Sequence, residues 1–222
     1  MEAAEIMGDL TERFVFVGGG IVDILISDPD SPPSRPTIDI DVIVSLASLA
    51  DYYALGEAMR LHGFSEDGEG SVICRWRHTE LIVDVMPTNE DVLGFGNRWY
   101  NSALQHSRRA VLPNGTIIAV IDPAHFLATK LEAFLSRGRG DMFASHDFED
   151  IVAVINGLPD IVEQVSTAPA EVSQHLAHAF SSLVERPELR DAIEGQLASL
   201  RDSTQRTNVV AGRLFELANL HH

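Results

Sequence analysis

The sequence predicts an α+β protein, in which a mixed β-sheet domain flanked by helices is followed by an all-helical domain. Two observations support this prediction. Residues 1–121 combine short β-branched and aromatic runs with helical spacings, whereas residues 122–222 show helical spacing almost throughout. The change falls at Asp122 and Pro123, which are typical of a helix N-cap and first helical position. We therefore predict two domains, residues 1–121 and 122–222.

Short apolar runs and their breakers predict the elements of the first domain. We predict strands over residues 13–17, 37–44, 71–78 and 81–87, and a helix over 46–64. Three glycines end the first strand, and helical spacing resumes over residues 20–28. The prolines between residues 28 and 36 exclude a helix or a central strand, so we predict a loop there.

The second domain shows a series of amphipathic segments. We expect a first helix from Asp122 to about Arg137 and a second over residues 145–157, which begins with the capping residue Ser145. Further helices are predicted over residues 169–185, 187–200 and 205–220, separated by prolines or polar residues.

Composition restricts the setting of the protein. The formal net charge of -17 argues against non-specific binding to a polyanion such as bulk nucleic acid. Cys74 is the single cysteine, so no intramolecular disulfide can form, which favours a reducing compartment. The acidic first residues lack the features of a signal peptide, and no apolar run reaches the roughly 20 residues of a membrane span. We expect a cytoplasmic protein without a membrane partner.

A local basic site remains compatible with this charge, because two or three cations would suffice to bind a phosphate chain. The cations that are spaced among the acids are Arg75, Arg77, Arg108, Arg109, Lys130, Arg137 and Arg139.

Three carboxylates interrupt the apolar strands. Asp39 and Asp41 are two residues apart, so on a strand both project from the same face. Asp84 interrupts the apolar segment "LIVDVMP". Neighbouring carboxylates that are partly buried repel one another unless a cation or hydrogen bonds compensate them. Three such acids suit Mg²⁺ and the two-metal attack on a phosphorus atom.

The glycines at 18–20 precede these acids in "FVGGGIVDILISD". A strand, a glycine-rich turn and a helix N-terminus would present free backbone N–H groups to a phosphate chain. The third glycine of the dinucleotide-binding fingerprint is lacking, and no Gly-Lys-Ser/Thr of a Walker motif follows. The sequence therefore predicts another kind of phosphate-binding fold.

The segments "VGGGIVDIL", "TIDIDVIV" and "LIVDVMP", in this order, resemble the Gly-Gly, Asp-x-Asp and third-Asp pattern of the DNA polymerase β-type nucleotidyltransferase superfamily. The later segment "LATKLEAFLSRGRGDMFASHDFEDIVAVING" resembles the AbiEii-type nucleotidyltransferases of bacterial abortive-infection and toxin–antitoxin systems. The resemblance covers residues 16–157. It implies a nucleotidyltransferase-like sheet domain that transfers a nucleoside monophosphate from an NTP and releases pyrophosphate.

The resemblance also implies roles for residues of the first domain. Gly18 and Gly19 would hold the triphosphate of the NTP, which is the co-substrate. Asp39 and Asp41 would bind two Mg²⁺ ions, for which Mn²⁺ would substitute. Asp84 would bind the catalytic ion and help to deprotonate the acceptor hydroxyl.

Four residues of the second domain acquire roles in the same way. Lys130 and Arg137 are seven residues apart, share one helix face, and would contact the nucleotide phosphates. Asp147 and Asp150 are three residues apart on the next helix. They would orient those cations or the acceptor.

Several alternatives stay open at the level of the sequence. The acceptor would be tRNA, a small molecule or a protein hydroxyl, and the toxin resemblance adds a cognate antitoxin as a partner. A non-catalytic nucleotide- or partner-binding module on the same fold is one alternative function. A metal-dependent phosphohydrolase that uses the same acids is another.

Overall fold

The computed structural model describes residues 2–68, 73–138 and 140–220. It shows an α+β protein with a seven-stranded mixed sheet, which confirms the predicted class at this level. The described residues form two compact units. The sheet unit contains residues 2–21 and 35–122, and the helical unit contains residues 22–34 and 123–220.

The sheet belongs entirely to the sheet unit. Its strands are β1 (Val15–Val17), β2 (Asp39–Val44), β3 (Ser65–Glu66), β4 (Arg75–His78), β5 (Leu81–Pro87), β6 (Arg108–Val111) and β7 (Ile117–Val120). They lie in the order β3-β4-β5-β2-β1-β7-β6. The pairs β2/β5 and β1/β7 are parallel and the other pairs are antiparallel.

The helices are distributed over both units. They are α1 (Glu2–Met7), α2 (Val22–Leu25), α3 (Leu49–Leu61), α4 (Tyr100–Gln105), α5 (Pro123–Ser136), α6 (His146–Gly157), α7 (Ile161–Ser166), α8 (Ala170–Val184), α9 (Leu189–Leu197) and α10 (Ser203–Ala218). Every regular element described after residue 122 is a helix. None of the helices in the described residues is long and apolar enough to cross a membrane.

Strands β1, β2, β4 and β5 confirm the four predicted strands, with residues 71 and 72 outside the described part of the chain. Three strands were not predicted. Strand β3 has two residues, and β6 is an edge strand whose residues "RRAV" begin with two arginines. The sequences of β3 and β6 therefore lack the apolar alternation by which strands are recognised, whereas the third missed strand, β7, has the apolar sequence "IIAV".

The predicted helix over residues 20–28 is wrong in length. A 3₁₀ turn covers Gly19–Ile21, and α2 covers only Val22–Leu25. Beyond the helix, the backbone N–H groups of Ser27 and Asp28 donate to the carbonyl of Gly157, at 2.9 and 3.0 Å. This long-range pairing within the helical unit uses N–H groups that a longer helix would bond internally.

Helices α5 and α6 lie where the sequence predicts them. The Oγ of Ser145 accepts a hydrogen bond from the backbone N–H of Phe148 at 3.3 Å, which confirms the predicted cap of α6. Phe134 and Phe148 pack together in the core with ring centroids 5.5 Å apart. This packing holds α5 and α6 side by side.

Candidate functional site

The register of the sheet brings the three predicted acids together. Asp41 of β2 is the cross-strand partner of Asp84 of β5, and Asp84 is also the partner of Arg75 of β4. Since cross-strand partners share a face of the sheet, these side chains lie on one face, and Asp39 joins them two residues before Asp41. We call these four residues the sheet cluster.

The opposite face of the same strands is apolar. Val42, Val83 and Val85 are fully buried there, and Val42 is the cross-strand partner of Val85. The alternation of β2 and β5 therefore places the three acids on one face and these buried valines on the other.

Gly18 allows the carboxylate of Asp41 to lie against the backbone after β1. Its φ of +73° lies in the left-handed region that favours glycine. A Cβ at this position would lie 2.7 Å from Cγ and 2.8 Å from Cβ of Asp41, much closer than van der Waals contact. Glycine is thus required here both by the conformation and by the approach of Asp41.

The structure gives less support to the expected helix N-terminus at the glycines. Gly19 is buried in the 3₁₀ turn, and the α-helix that follows in the chain has four residues. A single helical turn carries only a small part of the macrodipole of a full helix. Triphosphate binding by Gly18 and Gly19 stays a prediction.

Arg75 binds two of the three acids. Its Nε donates to Oδ1 of Asp84 at 2.8 Å, and its Nη2 donates to Oδ2 of Asp84 at 2.7 Å and to Oδ2 of Asp39 at 3.0 Å. The hydrogen bonds to Asp84, together with the charges of both acids, outweigh burial and raise the pKa of Arg75 above its usual value. Arg75 is therefore a permanent cation that neutralises a carboxylate whose side chain is only 10% exposed.

Cys74 precedes Arg75 in the chain and is buried. Burial and the negative charge of Asp84 raise the pKa of its thiol to about 12. The thiol is therefore neutral at physiological pH and adds no negative charge beside the acids.

The donor chemistry of the sheet cluster fits a hard divalent cation, which prefers several carboxylate oxygens. The described residues contain no group of three or more His, Cys, Asp or Glu side chains that is placed to hold a metal ion. Arg75 instead engages both oxygens of Asp84 and one oxygen of Asp39. The residue types fit Mg²⁺, but their present arrangement is an ion-pair cluster.

The structure also brings together the four residues that the sequence singled out in the second domain. Nζ of Lys130 lies 2.6 Å from Oδ2 of Asp150 and 3.2 Å from Oδ1 of Asp147. Arg137 donates to both oxygens of Asp147, from Nε and Nη2, each at 2.9 Å. We call these four residues the helical cluster.

The helical cluster is closed to solvent except at Arg137. The side chains of Lys130 and Asp150 are 8% and 2% exposed, whereas that of Arg137 is 72% exposed. Burial alone would raise the pKa of Asp147, but the hydrogen bonds from Arg137 and the charge of Lys130 outweigh it and lower the pKa. Asp147 and Asp150 thus contact the cations that they were expected to orient. The contact of Lys130 with nucleotide phosphates stays a prediction.

The role of Arg75 was not recognised in the sequence, where it stood only among cations that would bind a phosphate chain. A usable signal existed. A two-residue connection at Thr79 and Glu80 pairs His78 with Leu81, and counting outward along the hairpin then pairs Arg75 with Asp84. Arg139, another cation of that group, lies outside the described residues.

No protein-family model matches the chain, and no curated protein matches it significantly. The two clusters, each in its own unit, are therefore the features that indicate a function.

Proposed function

We propose that the chain is a Mg²⁺-dependent nucleotidyltransferase with a nucleotidyltransferase-like sheet domain. It would transfer a nucleoside monophosphate from an NTP to a hydroxyl acceptor and release pyrophosphate. The observation that carries the proposal is the shared face of Asp39, Asp41 and Asp84 on two adjacent parallel strands, with Asp41 seated against Gly18.

The reaction would divide two tasks among the three acids. Asp39 and Asp41 would hold the cation, which when bound neutralises the triphosphate and polarises the phosphorus that is attacked. Asp84 would accept the proton of the acceptor hydroxyl while the hydroxyl oxygen bonds to the α-phosphorus. The bond between that phosphorus and the β-phosphate oxygen breaks, and pyrophosphate leaves with the electron pair.

The first experiment is calorimetric titration of ATP, GTP, CTP and UTP with and without Mg²⁺. We expect at least one NTP to bind only when the metal is present. Asp39→Asn with Asp41→Asn should abolish this binding, because the amides keep the shape of the carboxylates but lose their charge. Asp67→Asn is the matched control. Asp67 pairs with Arg77, which lies on β4 like Arg75, but Asp67 is not part of the sheet cluster.

The second experiment identifies the reaction with α-labelled NTP. Pyrophosphate release with label on tRNA, on a small hydroxyl compound or on a protein supports transfer and identifies the acceptor class. Release of free NMP without a labelled acceptor would instead indicate the phosphohydrolase. Absence of metal-dependent NTP binding in the wild type would refute both.

One observation favours the non-catalytic alternative. Arg75 supplies the sheet cluster with a cation from the chain itself, so Asp39 and Asp84 have a counter-ion without a metal. A binding module of this kind would take up an NTP and release neither pyrophosphate nor NMP in the labelled assay.

A further inference from the structure

We propose that Arg75 is a displaceable counter-ion of the sheet cluster. A divalent cation that binds Asp39, Asp41 and Asp84 replaces the guanidinium, which is thereby released to bind the phosphates of the NTP. The identity of these ligands rests on the proposed function. The exchange itself follows from the contacts of Arg75.

The first step is a competition for the same oxygens. Arg75 binds Asp84 through both oxygens in the bidentate geometry that makes arginine–carboxylate pairs strong, and it shares Nη2 with Asp39. A cation at ligand distance from these oxygens would lie beside a guanidinium of the same sign. Since like charges repel most strongly where water is scarce, the ion and the guanidinium exclude one another.

The second step requires that Arg75 can leave its carboxylates. The side chains of Arg75 and Asp39 are 22% and 38% exposed, so solvent reaches the pair from the Asp39 side. The arginine can therefore move into water without unfolding the strand. A closed pair such as that of Lys130 and Asp150 lacks this route.

The third step concerns the anion that arrives with the metal. A triphosphate chain offers oxygens that arginine recognises in the same bidentate way as a carboxylate. The released guanidinium would thus exchange one anionic partner for another. Metal and triphosphate should consequently strengthen each other's binding, and such coupling is reciprocal.

Arg77 provides a matched control on the same strand. It lies two residues after Arg75, so it projects from the same face of β4, but its Nη2 binds Asp67 at 3.0 Å. Removing Arg77 therefore removes a similar charge from the same strand and leaves the contacts of Arg75 with Asp84 and Asp39 in place.

The test is titration of Mn²⁺ alone, followed by calorimetry, into the wild type, Arg75→Gln and Arg77→Gln. We expect Arg75→Gln to bind Mn²⁺ about tenfold more tightly than the wild type, within the usual range of coupling between sites. Arg77→Gln should bind it with unchanged affinity. Adding Asp41→Asn to Arg75→Gln should abolish the gain, which shows that the ion binds at the sheet cluster.

A titration of tripolyphosphate in the presence of Mn²⁺ tests the released arginine. The wild type and Arg77→Gln should bind this anion more tightly than Arg75→Gln does. Equal binding by all three would overturn the second half of the proposal.

Two further measurements keep the proposal testable if Arg75→Gln folds poorly. Arg75→Lys keeps the charge but cannot form the bidentate pair, so it should bind Mn²⁺ more tightly than the wild type and less tightly than Arg75→Gln. Mn²⁺ should also raise the Tm of Arg75→Gln more than that of the wild type. Mn²⁺ affinity that is unchanged or weaker in both Arg75 variants would overturn the proposal.

The Mn²⁺ titrations and the transfer assay test the two proposals separately. If Arg75→Gln binds Mn²⁺ more tightly but the wild type releases no pyrophosphate, the counter-ion exchange is supported and nucleotidyl transfer is refuted. Transfer by the wild type, with equal Mn²⁺ affinity in all variants, would support nucleotidyl transfer and refute the counter-ion exchange.

Discussion

The sheet cluster and the helical cluster both pair aspartates with basic side chains, but in different surroundings. In the sheet cluster one guanidinium is divided between Asp84 and Asp39, and the Asp39 side is open to solvent. In the helical cluster Lys130 is enclosed with Asp147 and Asp150 in the packing of α5 and α6. Three of the four residues that define the sheet cluster are acids, whereas the helical cluster is defined by two acids and two basic residues.

This difference separates a cation that solvent can reach from one that is enclosed with its carboxylates. An enclosed ion pair cannot release either partner without leaving a buried charge, so removing one partner should be costly. A pair that solvent reaches contributes little to stability, because water screens it, but it can be replaced by a ligand.

The largest effect is expected from breaking the helical cluster. Lys130→Met should lower the free energy of unfolding by about 3–5 kcal/mol, because it leaves buried carboxylates without their ammonium. Urea denaturation followed by circular dichroism measures this loss.

The matched control for Lys130→Met removes the charge of the carboxylate that it leaves behind. Adding Asp150→Asn should restore part of the lost stability, because the amide keeps the size of the carboxylate without its buried charge. A loss below about 1 kcal/mol for Lys130→Met alone would contradict the structural role of the pair.

The next largest effect is expected at Gly18. Gly18→Ala should cost about 2–4 kcal/mol, because it combines a left-handed conformation with an overlap between its Cβ and Asp41. Gly115→Ala is the control, with a φ of +86° but no atom within 4 Å of the added Cβ. It should cost only about 1–2 kcal/mol of conformational strain. Equal losses in urea denaturation would show that the approach of Asp41 has no energetic consequence.

A smaller effect is expected from the titration of Asp147. Its pKa is lowered in the folded protein, so the stabilisation is complete above the ordinary pKa of 3.8 and disappears as the pH falls through the folded value. The wild type should therefore lose stability steeply in acid, and Asp147→Asn should show a shallower decline. Free energies of unfolding measured from neutral pH downward decide this, and parallel curves would count against it.

The smallest effect on stability is expected in the sheet cluster. Asp39→Asn removes an ion pair that solvent reaches, so the free energy of unfolding should change by less than about 1 kcal/mol. The same substitution should nevertheless weaken metal-dependent NTP binding if the proposed function is correct. A stability loss as large as that of Lys130→Met would remove the distinction between the two clusters.

The sequence was sufficient where the decisive interactions are local. The two-residue spacing of Asp39 and Asp41, and the position of Asp84 in an apolar run, predicted side chains that the strand register does place on one face. The cap at Ser145 was predicted for the same reason, since a cap depends on the next three residues.

The sequence was insufficient where partners come from distant parts of the chain. Helix α2 ends at Leu25, and Ser27 and Asp28 donate to the carbonyl of Gly157, a partner that no local pattern indicates. The pairing of Arg75 with Asp84 required the hairpin register, and its contact with Asp39 required the order of β4, β5 and β2 as well.

Residues 22–34 join the helical unit although the chain on both sides of them belongs to the sheet unit. A Cβ at Gly157 would lie 2.7 Å from Cγ2 of Ile26, so this segment fits closely against the end of α6. During synthesis the ribosome therefore releases one part of the helical unit long before α6 exists. Completion of that unit must wait for residues made more than a hundred positions later, as in other folds of high contact order. A fragment that begins at residue 123 would lack this part of its own core.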